Sequence, residues 1–347
     1  MDKKIFCKVF RHAGLGLMFG WLWLFFLNGP LLYQAALKWN REPEKIFLIF
    51  FIFHSFAYLA QALAANYLSP LKRNPPLLLG GVILTSSGTS FFLLAPSATF
   101  SPLVPWAGAV AGTGSSLIVG AWVELYSRQD ARITSLCFAL AAALGTLAFF
   151  LIQAVPFSLA AAFTALLPVF SAVLLGAARL APGENGEDVF VAQDKHGEFG
   201  SFPFPAKFLL WVVVFYLAGG LMQRIAFLEV PSSSPDLSRL ANLSYGAAAL
   251  FSGLTFYALP KLDQELLRRP VLPLLGIAFV LLPFAGAKLT LFTLGFLFSG
   301  AFALFDFYTL LLISSAAGKH PRPVAVVSWG YFLITLSILL GEMLLGR

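Results

Sequence analysis

Apolar runs of roughly 18–25 residues recur along the whole chain and constrain the fold more than any other sequence feature. A run of that length crosses the ~30 Å hydrocarbon core of a bilayer as an α-helix, whereas a barrel strand needs only about ten residues of alternating polarity. Hydrocarbon supplies no hydrogen bonds, so each backbone N–H and C=O must be satisfied within a helix or a closed barrel, and the run length selects helices. Composition agrees. Only 11% of the 347 residues are charged and 59% are hydrophobic, with mean hydropathy +0.83, against roughly 25% charged residues in a water-facing domain. The chain reads as an all-α integral membrane protein whose main partner is the lipid bilayer, with no soluble domain of useful size.

Eleven transmembrane helices are predicted, at 13–36, 46–68, 77–95, 103–126, 133–154, 157–179, 207–228, 239–259, 271–287, 289–314 and 323–345. Proline and glycine punctuate most of their ends. The basic N-terminus before the first run imitates a secretory signal, but the stretch from Ala13 to Leu37 exceeds a signal core of roughly 7–15 residues, so an uncleaved first helix is expected. With the N-terminus in the cytoplasm, only Lys38, Arg41, Lys45, Arg224, Arg239, Lys288 and Arg347 of the 23 lysines and arginines fall outside. Positive residues favour the cytoplasmic side, which sets this orientation and places the protein in the cytoplasmic membrane. The net charge of +7 is thus spread through short loops for topology; with no basic face or domain, no nucleic-acid partner is expected. Cys7 and Cys137 suggest no disulfide, and the four histidines are too scattered for a metal site.

One long polar segment, within 181–206, divides the chain into an N-terminal part, 1–180, with six predicted helices and a C-terminal part, 207–347, with five. The parts echo each other weakly. Arg132-Ile133 precedes the fifth helix as Arg322-Pro323 precedes the eleventh, and Lys72-Arg73-Asn74-Pro75 follows the second as Arg268-Arg269-Pro270 follows the eighth. Six helices, a cytoplasmic linker and a second set with matching loops resemble the major facilitator superfamily. The resemblance implies two helical bundles around a central cavity, alternating access, and ligands bound at mid-membrane between the halves. Some family signatures are absent. The segment Asn66 to Arg73 keeps only the basic end of the family's loop motif, and the helix at 103–126 has no interior arginine, which counts against proton-coupled antiport. A narrower stretch, Gly112-x-Gly114-Ser115 leading into Trp122 to Arg128, is similar to the membrane half of LuxR-type regulators, as is Ala303 to Tyr308. In that group a DNA-binding domain follows a twelfth helix; this sequence ends at Arg347 after eleven, so regulation of transcription is not carried over.

Polar residues inside hydrocarbon cost several kcal/mol, so each is a functional candidate. His54, Tyr58 and Gln61 fall at i, i+4 and i+7 on one helical face, read either as an interhelical hydrogen-bond network or as part of a ligand site. Tyr216 and Gln223 share a face of the seventh helix, with Arg224 beside them; Asn242 and Tyr245 lie on the eighth, and Asn28 and Gln34 on the first, where Asn28-Gly29-Pro30 predicts a kink. Arg224 would favour an anionic ligand, or would snorkel to the interface and pair with Glu229. Asp306 is read as a protonation site, a partner for a cation, or a structural group bonded to Ser299-type neighbours and arginines. Glu124 is expected to contact Arg128 one turn on, and Glu342 to be solvated near a helix end. There is no P-loop, metal-binding cluster, nucleophile elbow or helical histidine pair, so neither an enzyme nor a cofactor is expected. The sequence thus points to a facilitator-type transporter of an unidentified small molecule. A non-transporting membrane sensor is the alternative, and a truncated facilitator with a structural role a third reading.

Overall fold

The computed structural model describes residues 12–25, 29–68, 71, 74–94, 102–179, 204–229, 235–259, 262–263, 265–284 and 288–344. Within them the chain is helical throughout, and the major helices follow the apolar runs: α1 (Leu15–Phe25), α2 (Pro30–Trp39), α3 (Pro43–Leu63), α4 (Pro75–Leu94), α5 (Val104–Tyr126), α6 (Ala131–Gln153), α7 (Phe157–Arg179), α8 (Ala206–Glu229), α9 (Pro235–Ala258), α10 (Val271–Leu281), α11 (Lys288–Gly318) and α12 (Pro323–Leu344).

The first predicted helix is two. α1 and α2 are inclined by 44°, because Gly29 takes an extended backbone (φ −67°, ψ 119°) and Pro30 starts the next helix with no N–H to give. Asn28 lies outside the described residues. Other boundaries shift by a few residues. The second helix ends at Leu63, where Ala64 leaves helical geometry (φ −88°, ψ 9°) before the single turn Ala65–Leu68. The ninth closes in a 3₁₀ turn, Leu282–Phe284, and the tenth runs on to Gly318.

Seven of these helices, together with the stretch Leu266–Phe284 that contains α10, are long and apolar enough to cross a membrane, which makes eight candidate spans among the described residues, or nine if the bent α1–α2 pair is one span. Of the eleven expected, the remaining two are α8, with an apolar stretch of Ala206–Met222, and α9, which carries Asp236, Arg239, Asn242, Ser244 and Tyr245. Both have 24 residues and so reach about 36 Å at 1.5 Å per residue, enough to span hydrocarbon. Apolar side chains such as Phe251, Leu63, Val280 and Leu210 stand exposed on the outside, as a lipid-facing belt requires.

α5 is the packing centre of the N-terminal part. Its glycines lie against different neighbours: a Cβ on Gly112 would sit 2.5 Å from the Phe50 carbonyl of α3, and one on Gly81 of α4 would sit 3.1 Å from Gly114 O. Small residues at these points let helices approach closely. Trp122 Nε1 donates to Ser171 Oγ (2.9 Å), which donates to Gly14 O (2.9 Å), tying α5 and α7 to the start of α1. Glu124 is buried. Its Oε2 accepts the Leu71 N–H at 2.8 Å, while the expected Arg128 contact is longer, at 3.4 Å. The acid therefore pins the loop between α3 and α4 as well as meeting its own helix.

Two seams join helices of the N-terminal part to helices of the C-terminal part: α6 against α9, and α3 against α12. At the first, a Cβ on Gly253 would lie 2.6 Å from Ser135 O, and Arg132 donates from Nε (3.2 Å) and Nη2 (2.8 Å) to Tyr257 O at the end of α9. At the second, the rings of Tyr58 and Tyr331 are 5.4 Å apart. Glu342, expected to be solvated, is 6% exposed, because α12 packs along α8 to its last turns.

Candidate functional site: a central cavity with one buried acid

Between the two seams lies a cavity of about 230 Å³. α1 contributes Phe19, Leu22 and Trp23; α3 contributes Phe50, Phe51, His54 and Tyr58; α8 contributes Tyr216; α9 contributes Ser238, Asn242 and Tyr245. The far wall is Phe298, Ser299, Phe302, Asp306 and Thr309 of α11 with Tyr331, Thr335 and Ile338 of α12. The spacing of the α11 residues is that of one helical face.

Six of the eleven residues proposed from sequence meet here: His54, Tyr58, Tyr216, Asn242, Tyr245 and Asp306. Gln61 does not line the cavity. One turn beyond Tyr58 it is buried against α5, and its Nε2 donates to Ser116 Oγ at 2.9 Å, so it belongs to an interhelical network. Gln34 is exposed on α2, turned away from the cavity by the break at Gly29-Pro30. Gln223 and Arg224 lie on a stretch of α8 whose side chains are outside the described residues, as is Asn28.

Asp306 holds the centre of the polar arrangement. Tyr216 donates to Oδ1 at 2.5 Å and Tyr245 to Oδ2 at 2.6 Å, so phenols from α8 and α9 clasp the two carboxylate oxygens. Lengths of about 2.5–2.7 Å are those of O–H bonds to a charged oxygen. The arginines and Ser299 expected from sequence are not its partners; among the described residues, the two phenols are. Tyr216 is braced against Phe302 and Phe305, with ring centres 5.9 and 5.4 Å away, and Tyr245 meets Trp23 edge-on at 5.1 Å. The second contact is a bridge from α9 to α1.

His54 stands on the opposite wall. Its Nδ1 is 2.9 Å from Gly112 O and 3.0 Å from Ser115 Oγ. A carbonyl oxygen only accepts, so the contact with Gly112 assigns the proton to Nδ1. The ring stacks on Phe50 at 5.2 Å and meets Tyr58 edge-on at 4.8 Å. The Tyr58 hydroxyl is buried with no hydrogen-bond partner among the described residues. Other cavity groups are already engaged: Asn242 Nδ2 donates to Ser238 O (2.9 Å), and Thr335 Oγ1 to Tyr331 O (2.9 Å). Sequence reasoning missed Trp23 and Phe302; among 37 phenylalanines and 7 tryptophans, aromatic identity alone marks no wall.

No family profile and no curated protein sequence matches this chain. Solved structures do. The human organic anion transporter MFSD10 superposes with a TM-score of 0.66 at 15% identity, covering 99% of this chain and 93% of that one. The proton:xylose symporter XylE, bound to 6-bromo-6-deoxy-D-glucose, gives 0.59 at 12% identity, covering 99% and 89%. FucP in its outward conformation gives 0.55 at 12%, covering 97% and 90%. At 12–15% identity what is shared is the architecture: the chain is a multi-pass α-helical membrane protein with the fold of the major facilitator superfamily.

Proposed function

We propose that this protein is a facilitator-type carrier that moves a small molecule across the cytoplasmic membrane by alternating access. The observation that supports it is the place of the cavity, enclosed between the α3–α12 and α6–α9 seams in a facilitator fold. In this reading residues 1–180 and 207–347 are two helical bundles joined by a cytoplasmic linker at 181–206, and the N-terminus is cytoplasmic. His54, Tyr58, Tyr216, Asn242, Tyr245 and Asp306 form the ligand site.

The helix ends that carry Ser127 and Gly318 lie beyond the cavity along α11, whose lining runs from Phe298 to Leu310. At those ends α5 meets α11, with Gly318 directly against Ser127 O. Deeper still, Phe138 of α6 stacks on Phe307 of α11 at 5.5 Å. By the charge distribution these ends face the cytoplasm, and in this reading the contacts close the cytoplasmic side beneath Asp306. Rocking about the seams would part α5 from α11 and close the outer side.

Reconstitution tests this. In proteoliposomes a panel of small cations, sugars and organic anions should include at least one solute with saturable flux. A cysteine placed at Thr335, in a background without Cys7 and Cys137, should be reachable from both sides of the membrane in turn. Absence of flux together with access from one side only would refute the carrier reading. The fold does not name the cargo, since it serves an organic anion in one neighbour and xylose in another; the cavity must.

A further inference from the structure

We infer that the cavity binds a small, apolar organic cation, with Asp306 as its counter-charge. Binding rests only on the cavity; transport of that cation rests in addition on the carrier reading.

Among the described residues, one lining side chain of the cavity carries a formal charge at neutral pH, and it is negative. Among the described residues no lysine or arginine lines the wall to neutralise it. Each oxygen of Asp306 accepts one phenol hydrogen bond, while an ionised carboxylate has about four acceptor positions, so the clasp leaves room on both oxygens. An ionised carboxylate in surroundings of low dielectric gains more from an arriving cation than a hydrated one would. The rest of the wall suits the same guest. Trp23, Phe302, Tyr58 and Tyr331 present aromatic surface, and aromatic faces attract ammonium groups most strongly where water is excluded.

The competing cargoes fare worse. A sugar must exchange many hydrogen bonds with its site, yet the O–H groups of Tyr216 and Tyr245 donate to Asp306, and the Thr335 O–H and one N–H of Asn242 to backbone carbonyls, which leaves few of these lining donors beyond the Tyr58 hydroxyl. An anion would meet Asp306 with no lining cation among the described residues to offset it. Size narrows the class further. A volume of about 230 Å³ lies above the ~150 Å³ cavity that accepts benzene and below the roughly 300 Å³ at which drug-sized pockets begin. A cation with one ring fits.

The test uses the purified full chain in detergent and three probes of one size: phenyltrimethylammonium, uncharged 2-phenyl-2-propanol, and benzenesulfonate. Titration calorimetry should show saturable binding of phenyltrimethylammonium, about tenfold or more tighter than the alcohol, and none of the sulfonate. Asp306→Asn should erase the preference for the cation over the alcohol. Trp23→Leu, which leaves the acid in place, should weaken the cation several-fold and the alcohol less. Equal binding of cation and alcohol by the wild type would overturn the inference, as would tighter binding of the sulfonate. If Asp306→Asn fails to fold, the wild-type probe series and Trp23→Leu still decide it. Phenyltrimethylammonium that binds with this selectivity but never crosses proteoliposomes would sink the carrier reading and leave this one standing.

Discussion

The charge on Asp306 can be read out by a pair of double-mutant cycles, because the same protein contains a neutral interhelical hydrogen bond for comparison. Tyr245→Phe removes the phenol that donates to Oδ2 at 2.6 Å and keeps the ring that meets Trp23 at 5.1 Å. Hydrogen bonds to charged groups contribute about 1.5–3 kcal/mol, whereas measured couplings between polar side chains in membrane helices average about 0.6 and reach about 1.7 kcal/mol. Asp306 also keeps the Tyr216 bond when Tyr245 is truncated, which holds the expected coupling near the overlap of those ranges. We therefore expect Tyr245→Phe and Asp306→Leu to couple by about 1.5 kcal/mol. The neutral reference is Gln61 Nε2 to Ser116 Oγ, 2.9 Å long between α3 and α5, which should couple by about 0.5 kcal/mol. Reversible unfolding of the single and double variants by SDS from mixed micelles gives both energies on one scale. The difference of about 1 kcal/mol is roughly a fivefold change in the unfolding constant. A Tyr245–Asp306 coupling no larger than the Gln61–Ser116 coupling would refute a charged acid held by its phenols.

Two further outcomes follow from close backbone approaches. Gly112→Ala places a Cβ 2.5 Å from Phe50 O and should lower stability by about 1–3 kcal/mol through overpacking, while Gly80→Ala, with nothing within 4 Å of its added Cβ, should raise it by about 0.5–1 kcal/mol; the same SDS titration checks both signs. Gly318→Val should wedge α5 from α11 at the Ser127 carbonyl, so that a cysteine at Thr309 becomes labelled by impermeant maleimide from the side bearing Ser127, and an unchanged labelling pattern would contradict closure at that contact.

Much of the helical layout was legible in the sequence because a bilayer imposes length on a helix directly. The break at Gly29-Pro30 was legible too, since proline acts through its own backbone. What the sequence withheld is rotation about each helix axis. His54 and Gln61 share a nominal face, yet one lines the cavity and the other turns into α5 toward Ser116. Seven residues along a helix of 3.6 per turn do not return to the same direction, and a modest offset is enough to separate them. Glu342 was misjudged for a related reason: nearness to a helix end implies solvent only if no neighbour runs as far, and α8 does. Asp306 reaches its partners across 90 and 61 positions of sequence, where local periodicity carries no information.

Hydropathy, read for its failures, held more than run length alone conveyed. α9 has 24 residues but falls short of the apolarity of a lipid-facing span. A helix surrounded by lipid must be apolar on every side, whereas one enclosed by other helices can keep polar groups on faces that never meet lipid. α9 packs between α6 and α11 and turns Ser238, Asn242 and Tyr245 into the cavity. Its deficit of apolar residues is thus the imprint of the site on the sequence. The same logic explains the phenylalanines, which satisfy both environments: Phe251 is 73% exposed on this helix, while Phe302 faces the acid's cavity from the next. In such a chain the polar exceptions locate the cavity, and among its described lining residues Asp306 is the acid on which the cation-binding inference turns.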